Sequence, residues 1–428
     1  MIASRHVVLV LLGLSLLALA VTGFPIYARL SYLWALLVVS SWIWSKLSLR
    51  GMQVSRQARL RRAQMGEIFQ EQFEVKNDSH FPHVLIEVHD QASLPGTQGS
   101  RVLTWLGRRQ QRTYLARTRL VQRGEFSLGP TVLAAGDPFG LFPVSRTVPT
   151  TGTVLVYPIM VDIHAFPNPP GLLPGGEALR RLTHQVTPNA AGVREYAPGD
   201  SMNRIHWPST ARRERLIVKE FELDPLADVW IFVDGARRVQ SQLPHSPSDI
   251  AVDALWHPMV EVTVPPSTEE YAATVAASLG RYFLQRGRAV GLVSCGQHRS
   301  PTVLPPDRGA RQLGKILEAM ALLRAEGELS ISALVSAQAQ HLPRGSTVVL
   351  ITPSIEEEVG LTVDHLVRLG LRPVAVLLDA ASFSGPPGTK ALATTIASLG
   401  VPVRRVENGA DIGMALSLDF SGAGGNLQ

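Results

Sequence analysis

The chain has 428 residues, 45% of them hydrophobic and 18% charged, with a formal net charge of +6 and one cysteine, Cys295. Length and apolar content suit two or three domains with real cores and exclude a mainly disordered chain, while the lone cysteine excludes a disulfide framework and any cysteine-based metal cluster. The basic balance is local: eight basic residues precede the first acidic one, Glu67, leaving 33 basic against 35 acidic residues over 67–428, which argues against a nucleic-acid surface.

Val7 to Phe24 is an uncharged apolar run long enough to cross a bilayer, and a second run extends from Ile26 to Trp44, interrupted by Arg29. Tyr27, Tyr32 and Trp34 lie towards one end and Trp42 and Trp44 at the other, as interfacial rings do. A cleaved signal peptide is the alternative for the first run, with Ala18-Leu19-Ala20 resembling a cleavage site. Lys46 to Arg62 holds six basic residues and no acidic one. The positive-inside rule therefore places the chain after Trp44 in the cytoplasm. The expectation is a two-pass protein of the cell membrane, with residues 1–46 as a transmembrane hairpin and 47–64 as a basic juxtamembrane segment. The N-terminus and the large C-terminal part would both be cytoplasmic.

Residues 65–160 read as an antiparallel, all-β sandwich-like domain. Phe69 to Val75 alternates apolar and polar residues, Asn77-Asp78-Ser79 supplies a turn, and Val84 to His89 is a partner strand. Further strands are expected at Arg101–Trp105, Thr113–Val121 and Thr153–Tyr157. Residues 161–192, rich in Pro and Gly, read as a linker. From Leu216 the pattern becomes strand–helix alternation. Val229–Val233, Ala289–Ser294, Thr347–Thr352 and Val374–Leu378 are short apolar strands. Ser267-Thr-Glu-Glu reads as a capping box opening a helix to Gln285. Other helical patterns lie at Arg311–Leu323, Ile331–His341 and Glu356–Leu369. This predicts a parallel sheet covered by helices on both faces over residues 193–420, with 421–428 as a disordered tail.

The sharpest local string runs from Gly192 to Trp207 and on to Glu220. Pro198-Gly199 makes a turn, and Asp200 or Ser201 would cap a short helix carrying Arg204 and Trp207 one turn apart. Arg194, Glu195, Asp200, Arg204, Arg212 and Glu220 could form an ion-pair network around the Trp207 ring. It would serve either as a docking or ligand-binding surface or as a clamp for the linker.

The pattern Arg194-x-Tyr196-x-Pro198-Gly199-Asp200-x-x-x-Arg204-Ile205-x-Trp207, followed by Ala211-Arg212, resembles the signature of domain-of-unknown-function family 58. So do two upstream strings, Arg123-Gly124-x-Phe126-x-Leu128-Gly129-Pro130 and Asp137-Pro138-Phe139-Gly140-Leu141-Phe142. The resemblance implies a von Willebrand factor A-like α/β domain. It also implies company with a MoxR-type AAA+ ATPase and a transglutaminase-like membrane protein, and it brings no settled activity.

The A-like fold often holds Mg²⁺ through Asp-x-Ser-x-Ser after its first strand. Here only Asp234 matches, because Ala236 and Arg238 stand at the hydroxyl positions. Two oxygen ligands are lost and cations gained, so no metal is expected. Gly309 to Lys315 has phosphate-loop spacing, but Ile316 stands where Ser or Thr should hold Mg²⁺ and no strand is expected before it. No nucleophile–base set is visible. The sequence thus points to a non-enzymatic, membrane-anchored adaptor without a cofactor. Its partners would be the lipid bilayer and an AAA+ ATPase. Two alternatives stand: a metal-dependent binding module on Asp234, and an enzyme using Arg194, Asp200 and Arg204 on an anionic substrate.

Overall fold

The computed structural model describes residues 2–149, 152–167, 190–196, 205–221, 228–247, 262–296 and 301–417. It divides into two compact units, the first built mainly from residues 1–159 and the second mainly from 160–428.

The first unit opens with two apolar helices, α1 (Ile2–Thr22) and α2 (Pro25–Leu47), each long and apolar enough to cross a membrane. Gly23, at φ +69°, and Pro25, at the first turn of α2, make the tight connection. The helices pack on each other, and the hydroxyls of Ser15 and Ser31 meet across the pair at 3.1 Å. Small polar residues at such a seam allow close approach and hydrogen bonding.

Ten strands follow: β1 (Met52–Ala58), β2 (Arg62–Gln64), β3 (Ile68–Asn77), β4 (His83–Asp90), β5 (Arg101–Leu106), β6 (Gln111–Arg119), β7 (Gly124–Leu128), β8 (Thr131–Ala135), β9 (Val144–Val148) and β10 (Gly152–Tyr157). They form three sheets, ordered β1-β3-β6, β5-β4-β8-β9 and β2-β10-β7. One buried cluster joins Phe73, Val75 and Tyr114 of the first sheet to Ile86, Leu103 and Leu133 of the second. In β3 the burial alternates with period two, as its apolar pattern predicts. The expected turn at Asn77 is present: its side-chain oxygen accepts from the Ser79 N–H at 2.9 Å, and its amide donates to the Phe81 carbonyl at 2.8 Å.

The basic stretch expected as a juxtamembrane segment over 47–64 is folded. Most of it is strand, and Arg56 is buried, its guanidinium held by Glu71 at 2.6 Å and Asp90 at 2.7 Å.

In the second unit, β11 (Ala190–Glu195) and β12 (Ile217–Phe221) pair antiparallel, with α3 (Trp207–Arg213) between them in the chain. Chain order then gives β13 (Val229–Val233), α4 (Thr268–Gln285), β14 (Val290–Ser294), β15 (Thr302–Asp307), α5 (Ala310–Leu322), α6 (Ile331–Ala339), β16 (Thr347–Thr352), α7 (Glu357–Arg368), β17 (Arg372–Leu378), α8 (Thr389–Ser398), β18 (Val403–Val406) and α9 (Ile412–Ser417). The sheet order is β15-β14-β13-β16-β17-β18. Every residue of β13, β14 and β16 is buried, which is why these strands read as unbroken apolar runs. One face packs Trp230, Phe232 and Leu350 against Leu334 of α6 and Val363 and Leu366 of α7.

Three expectations change here. The sheet is mixed, because β15 runs antiparallel to β14. Its Pro305 and Pro306 are tolerated on an edge strand, where no further neighbour needs their missing N–H. Ser267 is the N-cap of α4 but makes no side-chain cap bond, so the capping box does not form. Part of the expected linker is anchored: Phe166 is buried, edge-on to the rings of Tyr282 and Phe283 on α4.

Candidate functional site

Taken from β13 onwards, the strand order is doubly wound, and the chain reverses direction across the sheet between β13 and β16. Ligand sites in such sheets lie at the carboxyl ends of the strands flanking that point. Asp234 follows β13 and Thr352 ends β16, so the topology brings together two residues 118 positions apart. Both are buried.

The Thr352 hydroxyl donates to Asp234 Oδ2 at 2.6 Å, and the Ala236 N–H donates to Oδ1 at 3.0 Å. Thr352 Oγ1 accepts in turn from the Ser354 N–H at 2.9 Å, and Ser354 Oγ accepts from the Glu356 N–H at 3.2 Å. On the rim, Arg238 and Glu356 form an ion pair at 3.1 Å, about half exposed on both sides. Behind the carboxylate, the Gln240 amide donates to the Asp234 carbonyl at 3.0 Å, and the Thr268 hydroxyl donates to Gln240 Oε1 at 2.7 Å. Gly235 is required here, because a Cβ would run into the Cys295 carbonyl oxygen. Burial pushes the Asp234 carboxyl up to about 6. The Thr352 and Ala236 hydrogen bonds and the Arg238 charge oppose that shift, and Glu356 adds to it.

A divalent cation of the Mg²⁺ or Ca²⁺ type needs about six or more oxygen ligands. At this point the chain offers one buried carboxylate, with both oxygens already engaged, and a rim carboxylate, Glu356, paired with a guanidinium. Among the described residues, no group of three or more His, Cys, Asp or Glu side chains converges on a common point. The residues present do not fit the metal that the resemblance to an A-like fold implies. What the arrangement does chemically is hold its own loops: a buried acid is hydrogen-bonded in place beneath an exposed ion pair.

Sequence reasoning located Asp234 but missed Thr352, Ser354, Gln240 and Glu356. The signal for Thr352 was its place at the end of an apolar strand, and it became specific only with the strand order. Of the string resembling the family signature, Pro198, Gly199, Asp200 and Arg204 lie outside the described residues. Arg194 falls in β11, and Tyr196 follows it, its N–H donating to the Leu216 carbonyl at 2.8 Å. The start of the expected helix lies outside the described residues; the helix α3 begins at Trp207, with His206 as N-cap. His206 Nδ1 lies 2.7 Å from the Ser209 hydroxyl. Trp207 is 65% exposed, and the Asp200 and Arg204 partners expected around it lie outside the described residues. Arg212 is exposed in the last turn of α3, and Glu195 pairs with Arg215 at 2.7 Å on the surface.

A strand, β15, does lead towards Gly309, contrary to expectation. From Ala310 onward, however, the segment is helix, so most of its N–H groups serve the helix rather than a phosphate cradle, and Ile316 is fully buried.

Residues 192–245 match the family model described as "Protein of unknown function DUF58". The chain is 23% identical over 340 residues to the Bacillus subtilis (strain 168) "Uncharacterized protein YeaD", covering 77% of this chain and 76% of that one. Among solved structures, BatB from Bacteroides thetaiotaomicron is similar at 12% identity and a TM-score of 0.29, covering 45% of this chain and 95% of that one. The SpRpn10 VWA domain is similar at 13% identity and a TM-score of 0.28, covering 45% of this chain and 93% of that domain. The match at 192–245 contains the string from Arg194 to Arg212, one of the three that resemble that family.

Proposed function

We propose that the protein is a membrane-anchored, non-enzymatic adaptor. Its α/β unit binds a protein partner without a metal, and α1 and α2 hold it at the cytoplasmic face of the cell membrane. The partner proposed is a MoxR-type AAA+ ATPase, with a transglutaminase-like membrane protein as a further member. The observation that carries this reading is the carboxyl end of the central strands. Where a metal or substrate would enter, Asp234 is satisfied by Thr352 and Ala236, and the rim presents the Arg238–Glu356 ion pair to solvent. A preorganised charged rim over a filled site supports recognition rather than turnover. Trp207, exposed on α3, offers a second contact on the DUF58 segment.

The test is purification of the tagged full-length chain from native membranes in mild detergent, followed by mass spectrometry. An AAA+ ATPase should be enriched, and Arg238→Glu or Glu356→Arg should each lower its recovery about threefold or more at unchanged thermal stability, since charged rims govern encounter. Recovery of no ATPase, or recovery indifferent to both substitutions, would overturn the reading.

A further inference from the structure

The second apolar helix passes into the first unit without slack. Only Ser48 to Gly51 separate α2 from β1, and Leu49 and Met52 already belong to the buried cluster of the sheets. The Asp78 N–H donates to the Gly51 carbonyl at 2.9 Å. His83, 3% exposed, closes the joint: Nε2 lies 2.9 Å from the Ser79 hydroxyl. The strands are therefore fixed to the end of α2.

Strand register shows which loops share that end. Met52 pairs with Asn77, and Lys76 with Gln111, placing loops 78–82 and 107–110 there. His83 starts β4 at the same end, and Glu87 opposite Ala134 brings loop 136–143 beside them. These loops and adjoining strand ends expose large apolar side chains: Phe81 60%, Leu85 53%, Trp105 49% and Phe139 61%. Interleaved with them, Arg50, Arg108 and Arg109 are exposed. The acids of the same loops do not offset those charges. Asp78 pairs with Lys76 at 2.7 Å, and Asp137 is buried, accepting from the Phe139 and Phe142 N–H groups at 3.0 and 2.6 Å.

We infer that this end of the first unit is a membrane-surface contact. Its aromatic side chains enter the headgroup layer and its arginines bind the phosphates of anionic lipids. The inference rests on reading α1 and α2 as membrane spans. Aromatic rings and juxtamembrane cations are the residue types that partition to that layer. The short joint holds them at the depth where α2 emerges. The unit is thereby held against the bilayer rather than swinging from a tether.

The experiment uses the full chain in vesicles, with an environment-sensitive fluorophore placed singly by Leu33→Cys, Phe81→Cys or Leu60→Cys. The native thiol, Cys295, is buried. Leu60 is exposed and lies just past the opposite end of β1, making it the matched control. In mixed phosphatidylcholine–phosphatidylglycerol vesicles, an acyl-chain spin label should quench the probe at 33. A headgroup spin label should quench the probe at 81 at least about twofold more than that at 60. Arg108→Glu with Arg109→Glu should remove most of the excess at 81, as should pure phosphatidylcholine. An unquenched probe at 33 would overturn the membrane spans themselves. Quenching at 33 with equal signals at 81 and 60 would overturn the surface contact alone, and an excess at 81 indifferent to lipid charge would overturn the role of the arginines.

Discussion

Asp234 is a carboxylate taken out of water and held by two hydrogen bonds, with the Arg238 cation at the rim. Burial outweighs those contacts, so the folded state binds its proton with a pKa of about 6, against about 3.9 for an unfolded aspartate. A value raised on folding means that the protonated acid is favoured in the native state. This contribution is therefore fully present below about pH 4 and is lost as pH rises through 6. The full difference is on the order of 3 kcal/mol. Asp234→Asn keeps the shape and removes the titration. Thermal unfolding of both forms between pH 4 and 8 should show wild type losing stability relative to the variant as pH rises through 6. Parallel curves would mean that Asp234 does not titrate there.

At the scale of elements, the first unit is tied together by charge as well as by apolar packing. Arg56 on β1 bonds Glu71 on β3 through two guanidinium nitrogens, at 2.6 and 2.7 Å, and reaches Asp90 at the end of β4. Burial disfavours the guanidinium charge, but the two carboxylates outweigh it and raise its pKa. The group lies 4.9 Å from the centre of the Phe73 ring, itself stacked on Tyr114. Removing the arginine strands two buried carboxylates. Arg56→Met should therefore cost about 3–5 kcal/mol despite similar volume, read as a lower unfolding temperature of the full chain in mild detergent. Loss of well under 1 kcal/mol would mean that water reaches those acids.

For the whole molecule, α1 and α2 are the elements that decide location in the proposed reading. The full chain should stay in the membrane pellet after alkaline extraction, since a pair of buried apolar helices is not released by breaking ionic contacts. Protease added outside intact cells should leave a C-terminal tag uncut, and lysis should expose it. Release into the supernatant would end the anchor, and cleavage in intact cells would reverse the orientation.

Periodicity alone determined much of this protein. The two apolar helices, the alternation in β3, and the apolar runs of β13, β16 and β17 were legible because burial on one or both faces leaves a direct imprint on composition. Helices α5 to α7 were legible to within two residues at either end. Strands whose residues answer to distant partners were not. β1 read as part of a basic juxtamembrane segment rather than as a strand because Glu71 and Asp90, which neutralise Arg56, sit 15 and 34 positions away. β15 was hidden by its two prolines, tolerable only because the sheet ends there. The candidate site divides in the same way. Asp234 and the missing metal ligands could be read from one local string. That Thr352 closes over the carboxylate was decided by strand order, because a hydrogen bond between residues 118 apart exists only once the sheet has placed β13 beside β16.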